Sequence, residues 1–145
     1  MIKNELLNQI DKPFHFCGYS YGGMVVQELL KHSYSNLRSV ILIASQNIMT
    51  FYDKEINRTL HQILSTDELL FCRLLTILSY DPSFINKNNM FYLQLFLSLK
   101  LSPFSSRAIS QQLNQMMQID KIDFPVLKIP SLYIYEENDR MLKDY

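Results

Sequence analysis

At 145 residues, 48% of them hydrophobic, the chain can bury one core, and a single domain is the natural expectation. Fourteen basic residues balance fourteen acidic ones, scattered without a block of either sign, so no net field favours nucleic acid or an anionic membrane. Two distant cysteines, Cys17 and Cys72, make no disulfide framework and point to a reducing, cytoplasmic setting, and no apolar run approaches the roughly 20 residues of a membrane span.

The chain opens with Ile2, Leu6, Leu7 and Ile10 near helical spacing, an amphipathic stretch rather than the continuous apolar core of a signal peptide. Asp11-Lys12-Pro13 breaks it, because proline disfavours helical geometry in the residue before it. Phe14 to Cys17 then reads as a short buried strand, with Cys17 as a small buried apolar residue.

All three glycines follow within six positions, Gly18, Gly22 and Gly23, in a chain far below the roughly 7% glycine of an average protein. They frame Gly18-Tyr19-Ser20-Tyr21-Gly22, a G-x-S-x-G between an apolar run and a helical pattern. That context describes a nucleophile elbow, a sharp strand-to-helix turn that holds a serine in a strained conformation with its hydroxyl exposed above a sheet. A Cβ at either flanking glycine is expected to collide with the neighbouring strand or the helix start. The helix start also aims N–H groups and a positive dipole end at the place where an oxyanion forms. The plainer alternative is a tight turn whose serine only caps the helix.

Gly22 to His32 carries Met24, Val25, Val26, Leu29 and Leu30, an apolar face suited to a sheet. After a turn at 33–36, Val40-Ile41-Leu42-Ile43-Ala44 is the continuous run of a parallel strand covered on both faces. Strand, helix and strand make a βαβ unit with a right-handed crossover. From Gln46 to Ile119 glycine disappears and apolar residues recur at three and four, which predicts helices near 51–64, 67–80, 87–101 and 104–118. Ser65-Thr66-Asp67-Glu68 spells a capping box, and Asp81-Pro82 and Ser102-Pro103 mark joints. Phe71, Leu74, Leu75, Phe91, Phe96 and Leu97 are either the inner faces of these helices or an apolar roof over a greasy substrate. Ile129 to Tyr135 is a last strand, with Pro130 near its start.

The elbow, the strand after it and the proline-led final strand resemble the α/β-hydrolase superfamily, in its lid-bearing branch of serine esterases and thioesterases. The resemblance makes Ser20 the nucleophile, the Tyr21 N–H an oxyanion donor, and Gly18, Gly22 and Gly23 the elbow's geometry. It makes Asp139 the acid that orients a histidine, although Glu136 stands where the family usually has glycine. It implies an α/β fold in partial form: a short parallel sheet of about three strands with helices plus a four-helix cap. The core βαβ occupies 1–45, the cap 46–119, and the return strand and acid loop 120–145. Phe71 and Phe91 are the candidate substrate contacts.

In this fold's chain order the base histidine follows the acid. His15, His32 and His61 all precede Asp139, and the second oxyanion donor would lie upstream of Met1, so the match covers nearly the whole sequence but about half of a family domain. The expected substrate is a small-molecule ester or thioester with an apolar acyl part. No cofactor is implied, and no pair of histidines has metal-ligand spacing. An acyltransferase with the same elbow, a non-catalytic truncated relative that binds a small ligand or partner, and a plain helical binding module remain as alternatives. Only the last predicts no parallel sheet.

Overall fold

The apolar runs on either side of the glycine cluster become neighbouring strands. In a computed structural model, which describes residues 10–101, 106–123 and 125–135, β1 (Phe14–Tyr19) leads through Ser20 into α1 (Tyr21–Leu29), and β2 (Leu37–Ile43) follows. β3 (Ser131–Ile134) completes a three-stranded sheet of order β1-β2-β3, parallel throughout. Side chains alternate across a strand, so this register sorts the sheet into two faces. Phe16, Val40 and Ser131 share one of them, while Cys17, Ile41 and Leu132, then Tyr19, Ile43 and Ile134, form rows on the other.

α1 covers only the first face. There Val26 and Leu30 pack with Leu37, Val40 and Leu42, flanked by Phe14, Phe16 and Tyr34. Each aliphatic side chain buried to this degree contributes about 1.5–3 kcal/mol. The three aromatic rings meet edge to face at centroid distances of 5.3, 5.6 and 6.2 Å, an arrangement their quadrupoles favour. The second face is open among the described residues. His15, Cys17, Tyr19 and all of β3 are exposed, and Ile41 and Ile43 are half-buried. Among the described residues two expectations are corrected by this: β1 is not a buried strand, and β2 is not covered on both sides. A β-branched run reports that a strand is apolar; it does not report what lies over it.

The described residues up to Ile48 and from Lys121 onward form one compact unit, and Met49–Asp120 form a second. The chain leaves and rejoins the sheet unit side by side, since Ile48 and Lys121 make an antiparallel bridge and the Ile122 N–H donates to the Asn47 carbonyl at 2.7 Å. The second unit is helical: α2 (Phe51–Thr66), α3 (Glu68–Ser79), α4 (Pro82–Lys87), α5 (Asn89–Leu101) and α6 (Ser106–Met117). Its core holds Leu60, Leu64, Phe71, Cys72 and Leu113. No described helix is long and apolar enough to cross a membrane.

Helix boundaries follow capping chemistry more closely than the sequence reading did. The capping box sits at Thr50 and Asp53, each side chain accepting from the other's backbone N–H. The box expected from Ser65 to Glu68 does not form. Ser65 lies inside α2, and Asp67 caps α3 by accepting from the Leu70 N–H at 2.9 Å. Asp81-Pro82 is more than a joint, because it starts the short α4. Proline suits a first helical position, where no N–H is needed, and Asp81 accepts from the Ser83 N–H at 2.7 Å. The helix expected from residue 87 therefore begins at Asn89, after this extra turn.

Candidate active site

Ser20 occupies the junction of β1 and α1 with φ 50° and ψ −124°. A side chain with positive φ is strained by about 1–3 kcal/mol and persists only where the surroundings enforce it. Here the backbone is held at both ends: the Ser20 N–H donates to the Ile43 carbonyl at 2.9 Å, and the Ser20 carbonyl accepts from the Gly23 N–H at 2.9 Å. Although Ser20 is the N-cap residue of α1, its hydroxyl makes no capping hydrogen bond, and the residue is exposed. The capping alternative therefore lacks the bond that defines it. The strained backbone presents the side chain at the C-terminal end of a parallel strand and at the head of a helix.

Two of the three glycines are there because the chain passes too close for a side chain. A Cβ on Gly18 would lie 2.5 Å from the Gly23 Cα and 2.6 Å from the Gly22 carbonyl oxygen. A Cβ on Gly23 would lie 2.3 Å from both Cβ and Oγ of Ser45. Gly22 differs: nothing comes within 4 Å of a Cβ placed there. The expectation that a side chain at either flank of the motif collides is thus corrected at Gly22, which faces open space from the first turn of α1.

Tyr21 is the first residue of α1, so its N–H belongs to the positive end of the helix. Its phenol is partly buried, and that desolvation raises its pKa above the ordinary value. The phenol therefore stays neutral throughout the physiological range and supplies no base. Asp139, the expected acid, lies outside the described residues.

Two of the three histidines have side-chain partners. His15 is exposed on β1, with Nδ1 2.7 Å from the Ser39 Oγ. His32 is exposed just beyond α1. His61 lies on α2, with Nε2 2.8 Å from the Ser110 Oγ and 3.1 Å from the Asn114 Nδ2 on α6. Cys17, expected to be buried, is exposed, because it sits on the open face of the sheet. Phe71 is 1% exposed within the core of the helical unit. Phe91 is 45% exposed and packs edge to face against Tyr80 and Phe84. Among the described residues no group of three or more His, Cys, Asp or Glu side chains is placed to hold a metal ion.

Three residues around the elbow escaped the sequence reading. Ala44, directly after β2, has φ 45°. Ser45 fills the space beside Gly23. Gln27, only 2% exposed, donates from Nε2 to the Ser45 Oγ and the Gln46 carbonyl, each at 3.2 Å. A signal existed for Gln27 alone: a polar residue four positions after Gly23 falls on the same inward face of the helix.

No protein-family model and no curated protein matches the sequence. Solved structures do match the fold. One is MGS-M2, an α/β-hydrolase enzyme from a Medee basin deep-sea metagenome library, at TM-score 0.72 and 15% identity over 95% of this chain and 52% of that one. Another is an esterase (EaEST) from Exiguobacterium antarcticum, at TM-score 0.64 and 19% identity over 90% of this chain and 51% of that one. With a parallel sheet, a strained serine at the strand-to-helix turn and these structural neighbours, the chain has the α/β-hydrolase fold and spans about half the length of the enzymes it resembles.

Proposed function

We propose that this chain is the elbow-bearing part of a serine hydrolase acting on small-molecule carboxylic esters or thioesters, with Ser20 as its nucleophile. One observation carries the reading: an exposed serine, at φ 50°, joins a parallel strand to a helix without using its hydroxyl as a cap. A surface turn needs no such strain, and strain of this kind clusters at functional sites.

In the proposed reaction the Ser20 Oγ attacks the substrate's carbonyl carbon while a general base takes the hydroxyl proton. The developing oxyanion is met by the Tyr21 N–H at the positive end of α1. Collapse of the tetrahedral intermediate breaks the bond to the alcohol or thiol, which leaves with a proton from the same base. Water then attacks the acyl-enzyme, releases the carboxylic acid and restores the serine. Asp139 is the acid that orients the base in this proposal, and the base is assigned to a histidine outside the present sequence. The helical segment is proposed as the cap of the enzyme. Phe91 offers a half-open ring for apolar acyl recognition, whereas Phe71 supports its own unit from within the core.

The occupied positions of His15 and His61 favour a second reading, in which the chain binds a small ligand or partner without catalysis. Labelling with a fluorophosphonate separates the two, with imidazole in solution standing in for the base and peptide mapping to locate the adduct. Adducts concentrated on Ser20, forming faster as imidazole rises and absent from Ser20→Ala, support the hydrolase. Adducts spread over exposed serines with no preference for Ser20 refute it. An acyltransferase would label in the same way and differ only in the acceptor of the acyl group.

A further inference from the structure

Ser20 and Ala44 are the non-glycine residues with positive φ among the described residues, at 50° and 45°. They stand at the C-terminal ends of adjacent strands, where the register pairs Tyr19 with Ile43. Two strained residues side by side require something that holds both, because each conformation costs about 1–3 kcal/mol.

The connections run through the back of the elbow. Gly23 and Gln27 are one helical turn apart on the same face of α1. Ser45 sits against that face, with its Cβ and Oγ where a Gly23 side chain would otherwise be. The buried Gln27 amide fixes Ser45 through its Oγ and reaches past it to the Gln46 carbonyl. On the far side the Ala44 N–H donates to the Ile134 carbonyl at 2.8 Å, which ties the same short loop to β3. Gly23, pressed by Ser45, donates its N–H to the Ser20 carbonyl. Burying a primary amide is costly unless it is hydrogen-bonded, and an aliphatic side chain would fill this inward position of an apolar helix more simply.

We propose that Gln27 and Ser45 are positioning residues that clamp the loop after β2 onto the first turn of α1 and so hold Ser20 in its strained conformation. The catalytic meaning of the clamp rests on the reading of Ser20 as nucleophile; its mechanical claim does not. The clamp acts from behind the serine and touches no substrate.

The test uses the isotope-labelled 145-residue chain and two variants: Gln27→Met, which keeps the side-chain length, and Ser45→Ala, which removes one hydroxyl. Two NMR readouts report on Ser20 directly: the strong intraresidue N–H to Hα contact that marks a positive φ, and the exchange rate of its amide, bonded to Ile43. The expected result is loss or averaging of the positive-φ signature in Gln27→Met, with Ser20 amide exchange about tenfold faster, the size of one lost net hydrogen bond. Ser45→Ala shifts both in the same direction, and amides of the helical unit keep their rates. An unchanged Ser20 signature in both variants, even with lowered stability, overturns the proposal, as does a wild-type chain with no positive-φ signature at Ser20. Should Gln27→Met not fold, Ser45→Ala decides alone. Fluorophosphonate labelling in parallel keeps the two proposals apart. A responsive signature in a chain that is never labelled at Ser20 sinks the nucleophile and keeps the clamp; a labelled Ser20 indifferent to both variants does the reverse.

Discussion

Gly23→Ala with and without Ser45→Gly puts the close packing behind the elbow to a quantitative test. The added Cβ would lie 2.3 Å from both Cβ and Oγ of Ser45, while its next neighbour, the Gly18 carbonyl oxygen, lies at 3.3 Å. Carbon atoms in contact prefer about 3.5–4.0 Å, so the overlap exceeds 1 Å, and a Cβ cannot rotate away from it. Overpacking of this kind costs typically 1–3 kcal/mol, and a backbone-fixed overlap belongs near the top, about 3 kcal/mol. The helical preference for alanine over glycine returns roughly 0.5–1 kcal/mol, leaving a net loss of about 2 kcal/mol in Gly23→Ala. Ser45→Gly alone loses its hydrogen bond from Gln27 and some rigidity, about 1–2 kcal/mol. In the double variant both clashing atoms are gone and only the 3.3 Å contact remains. The two losses therefore fail to add, with a coupling of roughly 3 kcal/mol in favour of the pair, the size of the relieved overlap. Urea unfolding followed by circular dichroism, with amide exchange in β1 and β2 to localise the effect, measures the cycle. A Gly23→Ala variant within about 0.5 kcal/mol of wild type, or strictly additive losses, would refute the reasoning.

Gly22→Ala should be neutral or stabilising by up to about 1 kcal/mol, since nothing lies within 4 Å of the new Cβ, whereas Gly18→Ala should unfold the sheet unit against the Gly23 backbone; melting curves compare them. Ser20→Gly should raise stability by about 1 kcal/mol by relieving the positive φ while removing the reactive hydroxyl, and a destabilised variant would show that the strain is misassigned. Phe71→Ala should cost about 3–5 kcal/mol and Phe91→Ala under about 1 kcal/mol, the difference between a core ring and a half-exposed one, read by chemical denaturation of each. Cys17 should react quickly with a maleimide in the native chain, while burial, reinforced by the Glu68 charge, raises the Cys72 thiol. At neutral pH Cys72 therefore stays protonated and shielded, and its alkylation should wait for unfolding; equal native rates at the two cysteines would contradict that burial.

The strand-to-helix turn at Ser20 was legible because glycine is scarce here and concentrated around it. The sequence could not say which glycine answers which steric demand, because the partner of Gly23 is Ser45, more than twenty residues away. The βαβ order, the third strand and the helical segment followed from periodicity, and the parallel three-stranded sheet agrees. Cover over the sheet was not legible, since an apolar run such as Val40 to Ile43 reads the same whether one face or two are packed. The capping boxes show the same limit. Thr50 and Asp53 carry the pattern with a shorter acid than the usual spelling, while Ser65 to Glu68 fits the spelling but lies across the boundary between α2 and α3. Gln27, a single polar letter in an apolar helix, became informative only once its partners were known.

Acylation of Ser20 by an activated ester tests the central claim most directly. The chain is incubated with p-nitrophenyl acetate, with and without imidazole, and the acetylated peptide is mapped by mass spectrometry. The expected result is an acetyl group on Ser20 that forms faster with imidazole and is absent from Ser20→Ala. Acetylation confined to lysines, tyrosines or the N-terminus, with the Ser20 peptide unmodified, would contradict the assignment of Ser20 as a nucleophile.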